Sequence, residues 1–177
     1  MAYELYDRVL DGSMTLNAAD RLRATYQRGL LAMGQGRLDQ AAADLRVGLS
    51  IDPLHPGVLQ TLADVLATTD RPASAVQHYG QALLVASQAE QRGRLYARLA
   101  RMWDSRLREP DEAGVCYDLA VQSGVSDADV MRHALTYYQR SHQHDRAATI
   151  IDELLQRTTA AEDLAALWTE RAHLALE

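Results

Sequence analysis

A pattern of small and large side chains that returns about every 34 residues limits what this chain can fold into more than any other feature. In GRLDQAAADLRVGLSIDP, from Gly36 to Pro53, Ala41, Leu45 and Gly48 share one helical face. Asp52-Pro53 ends that helix, because proline cannot continue it and restricts the residue before it. The same spacing reappears at Ala75, Tyr79 and Ala82, at Ala113, Tyr117 and Ala120, and at Ala147, Ile151 and Leu154, with separations of 34, 38 and 34 residues. Each of these helices follows another with its own set: Thr25, Arg28, Gly29 and Ala32; Leu59, Leu62, Ala63 and Leu66; Tyr96, Leu99, Ala100 and Trp103; Met131, Ala134, Leu135 and Tyr138. Large, x, x, large-small, x, x, large is one apolar stripe on a helix of 3.6 residues per turn. The small residue admits a neighbouring helix and the large ones fill the flanking holes.

Composition agrees. Of the 177 residues 47% are hydrophobic, enough to fill a core, and 24% are charged, as in an ordinary globular domain. Helix formers are abundant and β-branched runs are missing, so an all-α chain is expected. All 18 cationic residues are Arg, and the formal net charge is -6, which argues against a nucleic-acid partner. Cys116 is the only cysteine, so no intrachain disulfide forms and a reducing, cytoplasmic setting is expected. Residues 1–10 lack the basic start and apolar run of a signal peptide. No stretch has the roughly 18 apolar residues of a membrane span, so no membrane partner is expected.

Four units in phase resemble the tetratricopeptide repeat family over about residues 22–177. Gly36 and Pro53 match that family's turn glycine and terminal proline. Ala41, Ala75, Ala113 and Ala147 match its small residue opening the second helix, and Tyr79 and Tyr117 its aromatic position. The resemblance implies a right-handed α-solenoid of about four helix-turn-helix repeats, at 22–55, 56–89, 93–126 and 128–161, in one domain. There are departures: one extra residue near Leu107 to Glu109, Leu135 where a small residue is usual, and no glycine in the turns at Asp70 and His142. Residues 1–14 read as an amphipathic lid segment with Tyr3, Tyr6, Val9 and Leu10 at helical spacing, closed by an Asp11-Gly12-Ser13 turn. Residues 162–177 read as an extra helix or half repeat, with Trp168, Arg171, Ala172 and Ala175 on the first-helix pattern. Leu164, Leu167, Trp168 and Leu174 are too apolar for a solvent-facing cap, which points to a fragment of a larger protein. Trp103 and Trp168 both fall on repeat core positions and are expected to pack.

In the resembled family the first helix of each pair lines a concave face that holds protein or peptide ligands. Position by position this implies Arg23, Tyr26, Gln27, Leu30 and Met33; Gln60, Thr61, Asp64 and Thr68; Arg94, Arg98, Arg101 and Asp104; Arg132, His133, Thr136, Gln139 and Arg140; and, from the last helix, Thr169, Glu170 and His173. Arg94, Arg98 and Arg101 share one helix face, and Arg132 and Arg140 extend the strip. A cationic strip in an acidic chain suggests an acidic or carboxylate-bearing peptide, which the guanidinium fork suits. The alternative is a solvated face paired with Asp64, Asp104 and Asp129. The family's chaperone-tail clamp uses Lys, Asn and Arg, whereas this chain has no Lys and only Asn17, outside the groove.

No catalytic constellation stands out, and no cofactor or metal is expected. Gly34 and Gly36 sit in a turn with no following Lys, and His142 and His144 with Asp145 lack further defined ligands. The chain therefore reads as a non-catalytic protein- or peptide-binding scaffold. A first alternative is self-assembly, as a homodimer through the apolar C-terminal helix. A remote one is an RNA-binding helical repeat.

Overall fold

The computed structural model describes residues 2–11, 15–124 and 127–175, and among them the chain forms helices and turns with no strand. Gly12 and Ser13 of the expected turn lie outside the described residues. Among the described residues ten α-helices follow in order: α1 Ala2–Leu10, α2 Ala18–Gly34, α3 Leu38–Ile51, α4 Pro56–Thr68, α5 Pro72–Val85, α6 Ala89–Arg101, α7 Pro110–Gln122, α8 Ala128–Arg140, α9 His144–Arg157 and α10 Ala161–Leu174. A π-helical turn, Met102–Leu107, extends α6. None of the described helices is long and apolar enough to cross a membrane.

Helix starts follow from local chemistry. Pro56, Pro72 and Pro110 stand in the first turns of α4, α5 and α7, where a missing N–H costs nothing and φ is already helical. Asn17 caps α2 by accepting from the Asp20 amide at 2.8 Å, and the His55 ring nitrogen accepts from the Val58 amide at 3.2 Å to cap α4.

The turn inside each pair uses one residue in the left-handed region: Gly36 (φ 73), Asp70 (52), Arg108 (61) and His142 (55). Asp70 and His142, in the two turns without glycine, thus adopt the glycine conformation with a side chain attached. Three of these turns close alike, Arg37 N–H to Ala32 C=O at 2.9 Å, Arg71 to Leu66 at 3.2 Å and Gln143 to Tyr138 at 2.9 Å, each a step of five residues. The third pair closes Glu109 N–H to Trp103 C=O at 2.9 Å, a step of six. The extra residue read near Leu107 to Glu109 is therefore absorbed by widening the end of α6 into the π turn, which keeps both flanking helices in phase.

The chain divides into two compact units, Met1–Ser87 with Ser105–Leu107, and Gln88–Asp104 with Arg108–Glu177. In the first, α2 pairs with α3 and α4 with α5, and α1 packs along α2. Ala41 and Ala75 are fully buried, as are Leu45, Leu59, Leu62 and Ala63. A Cβ on Gly29 would stand 3.1 Å from Leu45 Cγ, so only glycine permits that approach without a shift. Arg28 ties three helices together, donating to Asp44 of α3 and to Asp7 of α1, both at 2.6 Å. Burial works against its charge, but hydrogen bonding and attraction to Asp44 outweigh that and raise its pKa. Tyr3, buried beneath the guanidinium of Arg37 at 4.1 Å, fastens α1.

In the second unit α6 pairs with α7, α8 with α9, and α10 packs on α9. Ala113, Tyr117, Met131, Ala134, Leu135, Tyr138, Ala147, Ile151 and Leu154 form one core, with Trp103 packed partly against it. Leu167 of α10 inserts into the same core. Trp168 does not: it is 61% exposed, against the expectation that it packs. Neighbouring positions on a helix point about 100° apart, so seating Leu167 turns Trp168 away from the core.

Candidate functional site

Each unit carries its own part of the expected ligand surface. In the first, Tyr26 on α2 reaches α4, its hydroxyl 3.3 Å from Thr61 Oγ1 and its ring 5.6 Å from the His55 ring. That approach needs Gly57, since a Cβ there would lie 2.9 Å from Tyr26 Oη. Gln27, Leu30 and Gln60 are half-buried beside this contact and Arg23 is exposed. The Asp64 carboxylate accepts from the Tyr79 hydroxyl of α5 at 2.6 Å, so it helps to lock its own helix pair.

In the second unit the arginines are engaged within the chain. Arg94 pairs with Glu90 one turn back at 2.8 Å. Arg140 pairs with Asp104, bringing α8 to the π turn. Arg132 approaches Asp163 of α10 at 3.7 Å. Arg98 and Arg101 are half-buried on α6, and His133 is exposed with its Nδ1 2.6 Å from the Asp129 carbonyl oxygen. Pairing of this kind holds the charges in fixed places and lowers the field that a bare strip would project.

What the fold brings together is a trough between α8 and α10 of about 220 Å³. Leu135 and Leu167, both buried, form its floor. Arg132, Thr136 and Gln139 line one wall, and Asp163, Ala166 and Glu170 the other. Gln139 Nε2 donates to Glu170 across the trough at 3.2 Å. A second hollow of about 260 Å³ is lined by Gln139 and Glu170 again, with His142, His173 and Leu174. Arg132, Thr136, Gln139 and Glu170 were legible from the repeat register. Asp163, Ala166 and Leu167 were not, although the seven-residue step from Asp163 to Glu170 is the spacing that puts them on one face.

The thiol of Cys116 is half-buried against the second unit's core. Burial, with the nearby Glu112 charge, pushes its pKa up to about 11, the opposite of what a nucleophile needs. Tyr117 is pushed up to about 12, chiefly by burial and then by the Asp104 charge. Among the described residues no group of three or more His, Cys, Asp or Glu side chains is placed to hold a metal ion.

No protein-family model matches this sequence, and no curated protein matches it. Solved structures do resemble the fold. One is MamA, at 16% identity, with 87% of this chain and 85% of that one covered and a TM-score of 0.73. A tetratricopeptide repeat protein from Parabacteroides merdae is 15% identical, with 98% of this chain and 64% of that one covered and a TM-score of 0.72. The first TPR of Spaghetti (RPAP3), bound to the HSP90 peptide SRMEEVD, is 16% identical, with 70% and 94% covered and a TM-score of 0.62. Paired helices, small residues at their crossings and these likenesses together give one conclusion: the chain has the tetratricopeptide-repeat fold.

Proposed function

We propose that this chain is a non-catalytic scaffold that binds a short extended peptide of a protein partner, and that the α8/α10 trough is a binding surface. The observation that carries this reading is the trough itself: a floor of Leu135 and Leu167 between two polar walls. From Arg132 to Gln139 it runs about 10 Å, the span of roughly three extended residues. Thr136 and Gln139 offer polar atoms to a peptide backbone. The structure of the Spaghetti (RPAP3) TPR with its bound peptide supports the reading, since it shows a like fold holding a peptide.

The ligand is acidic in this proposal. Arg132 and Asp163 are 56% and 51% exposed and 3.7 Å apart, and exposed pairs at such distances contribute about 0–1 kcal/mol. An incoming carboxylate can therefore displace Asp163 at little cost and take both arms of the guanidinium. The pairing of Arg94, Arg132 and Arg140 with carboxylates weighs against the RNA alternative. The chaperone-tail peptide is not the proposed ligand, because Asn17 is occupied as a helix cap and there is no Lys.

Fluorescence anisotropy with labelled acidic, neutral and basic peptides tests this. Acidic peptides should bind in a salt-sensitive way, and Arg132→Glu with Gln139→Ala should weaken them about tenfold or more. Equal binding of all three classes, or affinity unchanged in the double variant, would remove the trough from the account.

A further inference from the structure

The chain contains its own control for how a first helix should be covered. Aligning α10 on α8 with a shift of 37 residues sets Leu167 on Val130, Trp168 on Met131, Ala172 on Leu135, Leu174 on Tyr137 and Ala175 on Tyr138. In α8 all five of these positions are buried. In α10 the two that turn toward the preceding pair are covered, Leu167 at 8% exposure and Leu174 half-buried. Trp168, Ala172 and Ala175 are exposed. Half of a first-helix packing surface is thus complete and half is open, with a 61% exposed indole at its centre.

We infer that this open face of α10 joins two copies of the chain, helix to helix and antiparallel. Size complementarity is built into one face. Trp168 is preceded at three residues by Ala165 and followed at four by Ala172, with Ala161 and Ala175 completing a 4-3-4-3 stripe, and all four alanines are exposed. In an antiparallel pair each bulky indole lies over the partner's small residues, the same large-on-small rule that closes every pair within the chain. Charge selects the antiparallel sense. Glu162 and Asp163 stand in the first turn of α10, Arg171 and His173 in its last, with Asp163 near Arg132 and Arg171 donating to Asp152 within the chain. Antiparallel docking sets each acidic end against the partner's basic end and opposes the helix dipoles, whereas parallel docking sets like against like.

One helix face is a small interface, so the expected dissociation constant lies at about 10–100 µM. The trough uses Asp163, Ala166, Leu167 and Glu170, residues apart from the Trp168 stripe. Asp163 belongs to both surfaces, but Trp168 lies outside the trough, so a change at Trp168 separates pairing from peptide capture.

The experiment is sedimentation equilibrium of the full chain up to about 0.5 mM, a concentration above that constant. A species of twice the 19.6 kDa chain mass is expected. Trp168→Glu should weaken it at least tenfold, with helicity retained by circular dichroism. Leu84→Glu, at the most exposed large hydrophobic side chain among the described residues (82%), should leave it unchanged. A monomer at every concentration overturns the inference, as does a dimer that Trp168→Glu spares or that Leu84→Glu disrupts equally.

Discussion

At the scale of single residues, environment rather than identity decides what a side chain can do. Cys116 shows this most directly. An ordinary thiol near pKa 8.5 is roughly one-quarter thiolate at pH 8, whereas a group at about 11 is roughly one-thousandth. Alkylation of the folded chain by iodoacetamide at pH 8 should accordingly run about a hundredfold slower than that of the urea-unfolded chain, and should quicken as pH approaches 11. The folded pKa lies above the unfolded one. The contribution to stability is therefore complete below about 8.5 and is lost as pH rises through about 11. Equal alkylation rates in the folded and unfolded chain at pH 8 would show the thiol to be open. Sequence placed Cys116 beside the core Tyr117, but the extent of its burial came from helices distant along the chain.

At the scale of helices and turns, the departures from the repeat pattern are the instructive places. Asp70 and His142 carry the backbone conformation that Gly36 carries, and each meets the steric penalty of a Cβ at positive φ. Asp70→Gly should therefore stabilise the chain by about 0.5–1 kcal/mol, while Gly36→Ala should destabilise it by a similar amount. Asp70 is well suited because its side chain is 93% exposed and its approach to Arg106, at 3.9 Å, contributes little. Urea denaturation of the two variants measures both, and a destabilised Asp70→Gly would mean that its side chain holds the turn. Four surplus residues between Ala75 and Ala113 were visible in the sequence as a spacing of 38 in place of 34, one of them near Leu107 to Glu109. The resolution of that one into a π turn was not, because several backbone geometries absorb one residue and only the packing of α6 and α7 selects among them.

For the molecule as a whole, the inferred pairing has a thermodynamic consequence. A dimer that forms only between folded chains adds its association free energy to stability, so the midpoint of thermal unfolding must depend on concentration. For a chain of this length the rise should be about 1–3 °C per tenfold increase in concentration, and Trp168→Glu should abolish it. A midpoint that does not move with concentration counts against pairing.

The sequence by itself determined the repeat, its phase, the small residues at each helix crossing and the surplus residue in the third pair. These are matters of spacing along a helix of fixed period, so they are written locally. Only the tertiary structure decided that Leu167 rather than Trp168 enters the core, that arginines of the expected strip are held by carboxylates, and that Asp163 and Leu167 join Arg132 and Gln139 around one trough. Which side of a helix is covered, and which charges meet, depends on neighbours far away in the chain, and periodicity carries no record of them.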